Sequence, residues 1–166
     1  LTVRGGQVHL EPSADPAVNP NLVLDTAVLA ARKHARIARA SLMRLAQRGT
    51  APAPGEAWTP ETRSRVVDLL ATGHDAISVI ETLDHVGLWG RFLPEWDAVR
   101  NKPQRNAYHR FTVDRHLLET SANAAALVDQ SLVDAARRWS GGAPVRFVAD
   151  TSVIRRWSEA KLASRA

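Results

Sequence analysis

The nine residues Tyr108 to His116 (Y-H-R-F-T-V-D-R-H) set a histidine at the start of a strongly patterned helix. An imidazole there could open a metal site. A catalytic metal usually takes three or more protein ligands. No histidine follows His116, so a site opened there is not completed by later histidines of this chain.

Five further histidines, His9, His34, His74, His85 and His109, precede it. For each on its own, a surface or packing role is the simpler reading. His74 and Asp75 form a His-Asp dipeptide, but the aspartate sits where a helix N-cap is expected, and capping accounts for it better than metal binding does. Gly5-Gly6 lacks the spacing of a phosphate-cradling loop, and neither a G-x-S-x-G elbow nor an H-E-x-x-H helix occurs. Glu95 and Asp97 flank Trp96 without an evident partner and are expected to be solvated.

The elements that must position these groups come from a chain of 166 residues, 45% hydrophobic and 23% charged, enough for one respectable core or two small ones. With no cysteine, disulfides and thiolate metal sites are excluded, and a reducing cytoplasm is the default location. Apolar runs are only a few residues long, which excludes a membrane-spanning helix, and Leu1 to Glu11 lacks the basic start and apolar block of a secretory signal. Starting directly on strand-like residues, the chain reads as a piece of something longer. The net charge of +5 is unevenly spread: residues 1–130 hold 15 Lys and Arg against 14 Asp and Glu, and residues 131–166 hold 7 against 3. A near-neutral first four fifths argues against a nucleic-acid surface there.

Val3, Gly5-Gly6, Val8 and Leu10 predict a short hairpin. Asn19-Pro20 has the form of a cap and first-turn proline for a helix through Leu22, Val23, Val28 and Leu29. The apolar stripe thins around Lys33 to Arg39, and Ser41 is expected to cap a second helix that stops at Gly49. Residues 50–57, with two prolines and a glycine, predict a loop. Thr59 caps the next helix with Pro60 at its first position and Val66, Val67, Leu69 and Leu70 inward, ending at Gly73. Asp75 is expected to cap another, with Ile77, Ile80, Leu83 and Val86 buried and Gly87 as the stop. Leu88 to Trp96 reads as an irregular plug whose tryptophans anchor the core. Thr112 is expected to cap a helix to about Gln130, with Val113, Leu117, Leu118, Ala125 and Val128 available for one face. Beyond it, Gly141-Gly142 breaks any continuing helix, Val145 to Ala149 alternates like a strand, and Val153 to Ala163 reads as a basic helix.

Residues 22–48, Gly73 to Trp96 and above all P-Q-R-N-A-Y-H-R-F-T-V-D-R-H-L-L-E (Pro103 to Glu119) resemble the bifunctional uridylyltransferase/uridylyl-removing enzymes that modify the nitrogen-regulatory PII protein of bacteria. The block G-L-W-G-R-F-L-P-E-W followed by H-x-F-T-V-D-x-H is specific in combination, and actinobacterial members look closest. The similarity covers roughly residues 1–130.

The resemblance implies a mainly α fold: a helical connector over residues 1–107, the first helix of an HD-type phosphohydrolase domain over 108–130, a short N-terminal β-hairpin, and an irregular basic tail over 131–166. His116 matches that domain's first metal-ligand histidine, so a divalent ion (Mg or Mn) and the PII protein are the implied cofactor and partner of the parent family. Departures are large. The nucleotidyltransferase site would lie upstream of Leu1, and R-F-V-A-D-T-S-V-I-R-R-W stands where the His-Asp pair is expected, leaving Asp150 without a preceding histidine. The chain is therefore expected to be inactive alone, binding no metal itself, with a tail from about Ser131 that is either out of frame or a divergent C-terminus. A half domain leaves apolar faces open, which predicts self-association. The alternative is a stand-alone helical binding module whose basic tail (Arg137, Arg138, Arg146, Arg155, Arg156, Lys161, Arg165) contacts an acidic partner or nucleic acid. A third reading, a metal phosphohydrolase assembled from several chains, needs ligands for His116 supplied in trans.

Overall fold

A computed structural model describes residues 1–53, 56–104 and 111–140. The expected strand over 145–149, the basic helix over 153–163, Asp150, His109 and most of the basic tail lie outside the described residues. Two units divide the chain, Leu1–Ala126 and Leu127–Ala166.

In the first unit, β1 (Thr2–Arg4) and β2 (Gln7–His9) form the expected hairpin, with Val3 opposite Val8. Gly5 and Gly6 connect them with φ of 55° and 70°, the left-handed pair that a two-residue hairpin turn requires. Helix α1 (Leu22–Arg32) follows. Its N-cap is Asn21 rather than Asn19; Asn19 accepts the Asn21 N–H at 3.1 Å, so the proline lies in the turn ahead of the helix.

The helix ends without glycine. The Ala35 N–H bonds the Ala30 carbonyl at 2.9 Å and the His34 N–H bonds that of Ala31 at 3.1 Å, the paired bonds of a Schellman motif, with His34 in the left-handed position at φ 48°. The reversal feeds β3 (Arg36–Ile37), which pairs parallel to β2 with Gln7 opposite Arg36 and Val8 opposite Ile37. Thus the thinning of the apolar stripe after Lys33 marks a third strand, in the order β1-β2-β3.

Helix α2 (Arg39–Arg48) starts two residues before Ser41. Ser41 is buried inside its first turn, where its hydroxyl accepts the Leu10 N–H at 2.9 Å, and so joins the helix to the strand end instead of capping. Gly49 ends α2 as expected. Helix α3 (Pro60–Leu70) begins as the sequence predicts, Thr59 accepting the Thr62 N–H at 3.2 Å.

Helix α4 (His74–His85) takes Gly73 as its N-cap, and Asp75 lies in the first turn with no capping bond. Its end matches the expectation: Gly87 is left-handed at φ 71° and the Leu88 N–H reaches the Leu83 carbonyl at 2.8 Å. The plug resolves into α5 (Trp89–Phe92) and a 3₁₀ turn (Pro94–Ala98). Trp89 and Trp96 are buried edge to face, ring centroids 6.3 Å apart, which bears out their role as anchors.

Around α1 the core closes. Leu22, Val23, Leu24, Ala27, Val28, Ala30 and Ala31 are all buried, and α3, α4, β2 and β3 pack against it. A helix apolar over most of its circumference, with Asp25 and Arg32 left to reach ion-pair partners, is an interior helix, and its alanines let neighbours come close. Buried Thr26 returns its hydroxyl proton to the Leu22 carbonyl at 2.7 Å, so no donor is lost.

Helix α6 (Val113–Ser140) runs ten residues past the expected end at Gln130. Its buried stripe is Asp114, Leu118 and Ala122, whereas Leu117 and Val128 are exposed, so the expected face is rotated. Taken alone, the described part of the second unit is the last half of this helix. It exposes Leu127, Val128, Leu132 and Val133. Among the described residues no helix is long and apolar enough to cross a membrane.

Candidate functional site

The start of α6 carries His116, and three backbone and side-chain bonds fix where that start lies. Val113 N–H donates to the Lys102 carbonyl at 2.9 Å, and the Asp114 carboxylate accepts the N–H groups of Asn101 at 2.8 Å and Arg115 at 2.9 Å. Asn101 is left-handed at φ 53°, a conformation asparagine tolerates better than most residues. Burial disfavours charge on Asp114, but the Asn101 N–H, the Thr112 hydroxyl and the Arg115 N–H together outweigh it and hold the carboxyl below its ordinary range.

Arg115 reaches back from α6 to α4. Its guanidinium donates to Glu81 at 2.6 Å and to Glu119 at 2.9 Å, and it lies over the Phe111 ring at 5.6 Å from the centroid. The other oxygen of Glu119 faces His74 Nε2 at 3.4 Å. Arg100 binds the Asp84 carboxylate at 3.0 Å and the Asp84 carbonyl at 2.8 Å. The bond to Glu119 is the main reason Arg115 holds its proton more tightly than a free arginine, with burial opposing and Glu81 assisting. Arg115, Glu81, Arg100 and Asp84 border an open polar cleft of about 230 Å³ with Asp114 and Trp96 on its wall.

His116 itself is exposed on α6, and its N–H closes the first turn on the Thr112 carbonyl at 2.9 Å. Among the described residues no group of three or more His, Asp or Glu is placed to hold a metal ion. The described residues therefore do not by themselves fit a divalent metal at His116, and no reaction step follows from them.

The His-Asp dipeptide does not work as a pair. His74 faces Glu119 on α6, while Asp75 accepts from His34, Nδ1 to Oδ1 at 3.0 Å, across 41 positions of sequence. That is the physical reason Asp75 is not a cap: its carboxylate is turned to the end of α1. Neither this contact nor the Arg115 bridge to Glu81 was expected from the sequence, which holds no local signal for long-range pairs. Glu95 and Asp97 are exposed, as expected.

No protein-family model matches the chain. No solved structure matches it either. Curated proteins do. The chain is 39% identical over 122 residues to the bifunctional uridylyltransferase/uridylyl-removing enzyme of Mycobacterium tuberculosis, 42% over 120 residues to that of Streptomyces coelicolor and 32% over 117 residues to that of Corynebacterium glutamicum. These matches take in 74%, 72% and 70% of this chain but only 15%, 14% and 16% of the respective relatives.

Proposed function

About three quarters of this chain corresponds to a segment of the bifunctional uridylyltransferase/uridylyl-removing enzyme family, and from that premise we propose that it serves as the helical connector of such an enzyme joined to the opening helix of its HD-type phosphohydrolase domain. Its role is structural. The bundle around α1 gives a firm platform, and the bonds of Asp114 and Arg115 set the direction of α6 and thus of His116. In this reading His116 supplies one ligand of a divalent metal site, Mg or Mn, whose other ligands come from parts of the enzyme outside this chain. The metal would supply activated water for removal of a uridylyl group from the PII protein in the cytoplasm.

The observation that carries the reading is the pairing of strong identity with short coverage: 39% over 122 residues, yet 15% of the relative. Alone, the chain then has neither activity. Purified protein incubated with PII and UTP should transfer no UMP, and incubated with uridylylated PII it should release none. Either activity above a no-enzyme control would overturn the proposal.

A further inference from the structure

A second concavity lies apart from the α4–α6 charge lattice. It opens between the end of α1, β3 and the first turns of α4 and measures about 450 Å³. That is the size of a small-molecule site, typically about 300–1,000 Å³. Ala30, Ala31, Ala35, Ile37 and Val79 make its floor apolar, and His34, Arg36 and Asp75 stand at its rim.

The rim is unevenly charged. Asp75 is already engaged by His34. Arg32, Arg48, Arg65, Arg100 and Arg115 each have a carboxylate partner, whereas Arg36, like Arg39, Arg44, Arg63 and Arg91, pairs with no carboxylate among the described residues. The sheet register sets Arg4 opposite Gln7 and Gln7 opposite Arg36, an exposed cross-strand row on the face away from buried Val8 and Ile37, and of these three only Arg36 borders the cleft. Arg4 also lacks a carboxylate partner among the described residues. Two strand spacings put these arginines about 10 Å apart. His34 is held in place by Asp75 through Nδ1, which leaves its second ring nitrogen directed away from that bond.

We propose that this cleft binds a small organic anion, with an apolar or aromatic body on the alanine floor and a carboxylate or phosphate held by Arg36. His34 stands on the same rim, and Arg4, two strands away, adds only to the long-range positive field. A concave apolar floor favours a small molecule over an acidic protein surface, which the flat row of arginines alone would suit equally well. The Asp75 carboxylate repels an anion, so the charged group lies toward Arg36 and the body toward Val79.

Titrating the isotopically labelled 166-residue chain at low salt with phenyl phosphate, benzoate and inorganic phosphate, and following amide resonances, tests this. Phenyl phosphate or benzoate should saturate shifts at Ala31, Ala35 and Val79, and the better of the two should bind at least about ten-fold more tightly than inorganic phosphate; which one wins assigns the anion. Arg36→Ala should weaken binding about ten-fold or more, the size of one charge-assisted hydrogen bond. His34→Gly, which suits the left-handed backbone and keeps the fold, should weaken it by a smaller factor. Equal affinities for inorganic phosphate and the aromatic anions would overturn the proposal, as would absence of saturable shifts at the floor residues, or an unchanged affinity in Arg36→Ala. An acidic peptide that shifted Arg4 and Gln7 but not the floor would replace it with a protein partner.

Discussion

The Asp114 carboxylate accepts the backbone N–H of Asn101 at 2.8 Å and so ties the loop ahead of α6 to the first turn of that helix. Replacing it by alanine leaves the Asn101 and Arg115 N–H groups without their acceptor. Asp114→Ala should therefore lower stability by about 1–3 kcal/mol, read by urea denaturation. A change under a few tenths would mean that the loop and helix do not depend on one another.

Acid sensitivity should appear at the other end of the chain. Arg48 grips the Asp15 carboxylate through Nε at 3.1 Å and Nη2 at 2.8 Å, and this bond, aided by the Ala17 N–H, holds the carboxyl below its ordinary range. A carboxyl depressed in the folded state contributes stability above its unfolded pKa, about 3.9, and loses it as pH falls through the lower folded value. The melting-temperature gap between the native chain and Asp15→Asn should close as pH is taken from about 5 toward 2. A gap that widens on acidification would contradict this.

Gly49 is required by space rather than by backbone freedom. A Cβ there would collide first with the Leu45 carbonyl oxygen at the end of α2 and would also stand 2.9 Å from Val23 Cγ2 on the buried helix α1. Gly49→Ala should cost about 1–3 kcal/mol through overpacking, and an unchanged urea midpoint would show that the contact relaxes freely.

His34 gives the opposite prediction. Its left-handed backbone suits glycine, and its exposed ion pair with Asp75 is worth little, about 1 kcal/mol or less. His34→Gly should leave the melting temperature nearly unchanged or raise it, whereas His34→Val should lower it clearly, since a β-branched residue resists that conformation. Equal behaviour of the two variants would argue that the reversal tolerates any residue.

Trp58 lies half-buried and donates its indole N–H to the Phe92 carbonyl at 2.9 Å, which ties the loop ahead of α3 to α5. Trp58→Phe keeps most of the packing and loses the bond, so a loss of about 1 kcal/mol is expected in thermal unfolding.

Which of these features could be seen in the sequence follows from their range. The Thr59-Pro60 start of α3 and the left-handed glycine stop at Gly87 rest on local backbone chemistry, and the structure places them as the sequence predicts; Gly49 ends α2 at the expected position, but in an extended conformation and for want of space. The tryptophan anchors followed from size and apolarity. Ser41 and Asp75 have the residue types of caps, but tertiary partners, Leu10 and His34, claimed their side chains first. The end of α1 escaped notice because histidine fills a position that glycine normally marks. At the candidate site, the helix bearing His116 was legible from its pattern, while the pairs that hold it, Arg115 with Glu81 and His74 with Glu119, join positions no local rule connects.

The parallel pairing of β2 with β3 has a kinetic consequence. Its two strands are separated by the whole of α1, so the ladder cannot close until that helix has formed and docked, and the entropy of closing so long a connection must be met first. The hairpin can fold early by itself; the third strand cannot. Refolding followed by pulsed hydrogen exchange should show the amide of Ala38, bonded to the Val8 carbonyl, gaining protection in the same phase as the middle of α1 and later than that of Arg4, which pairs with Gln7 beside the hairpin turn.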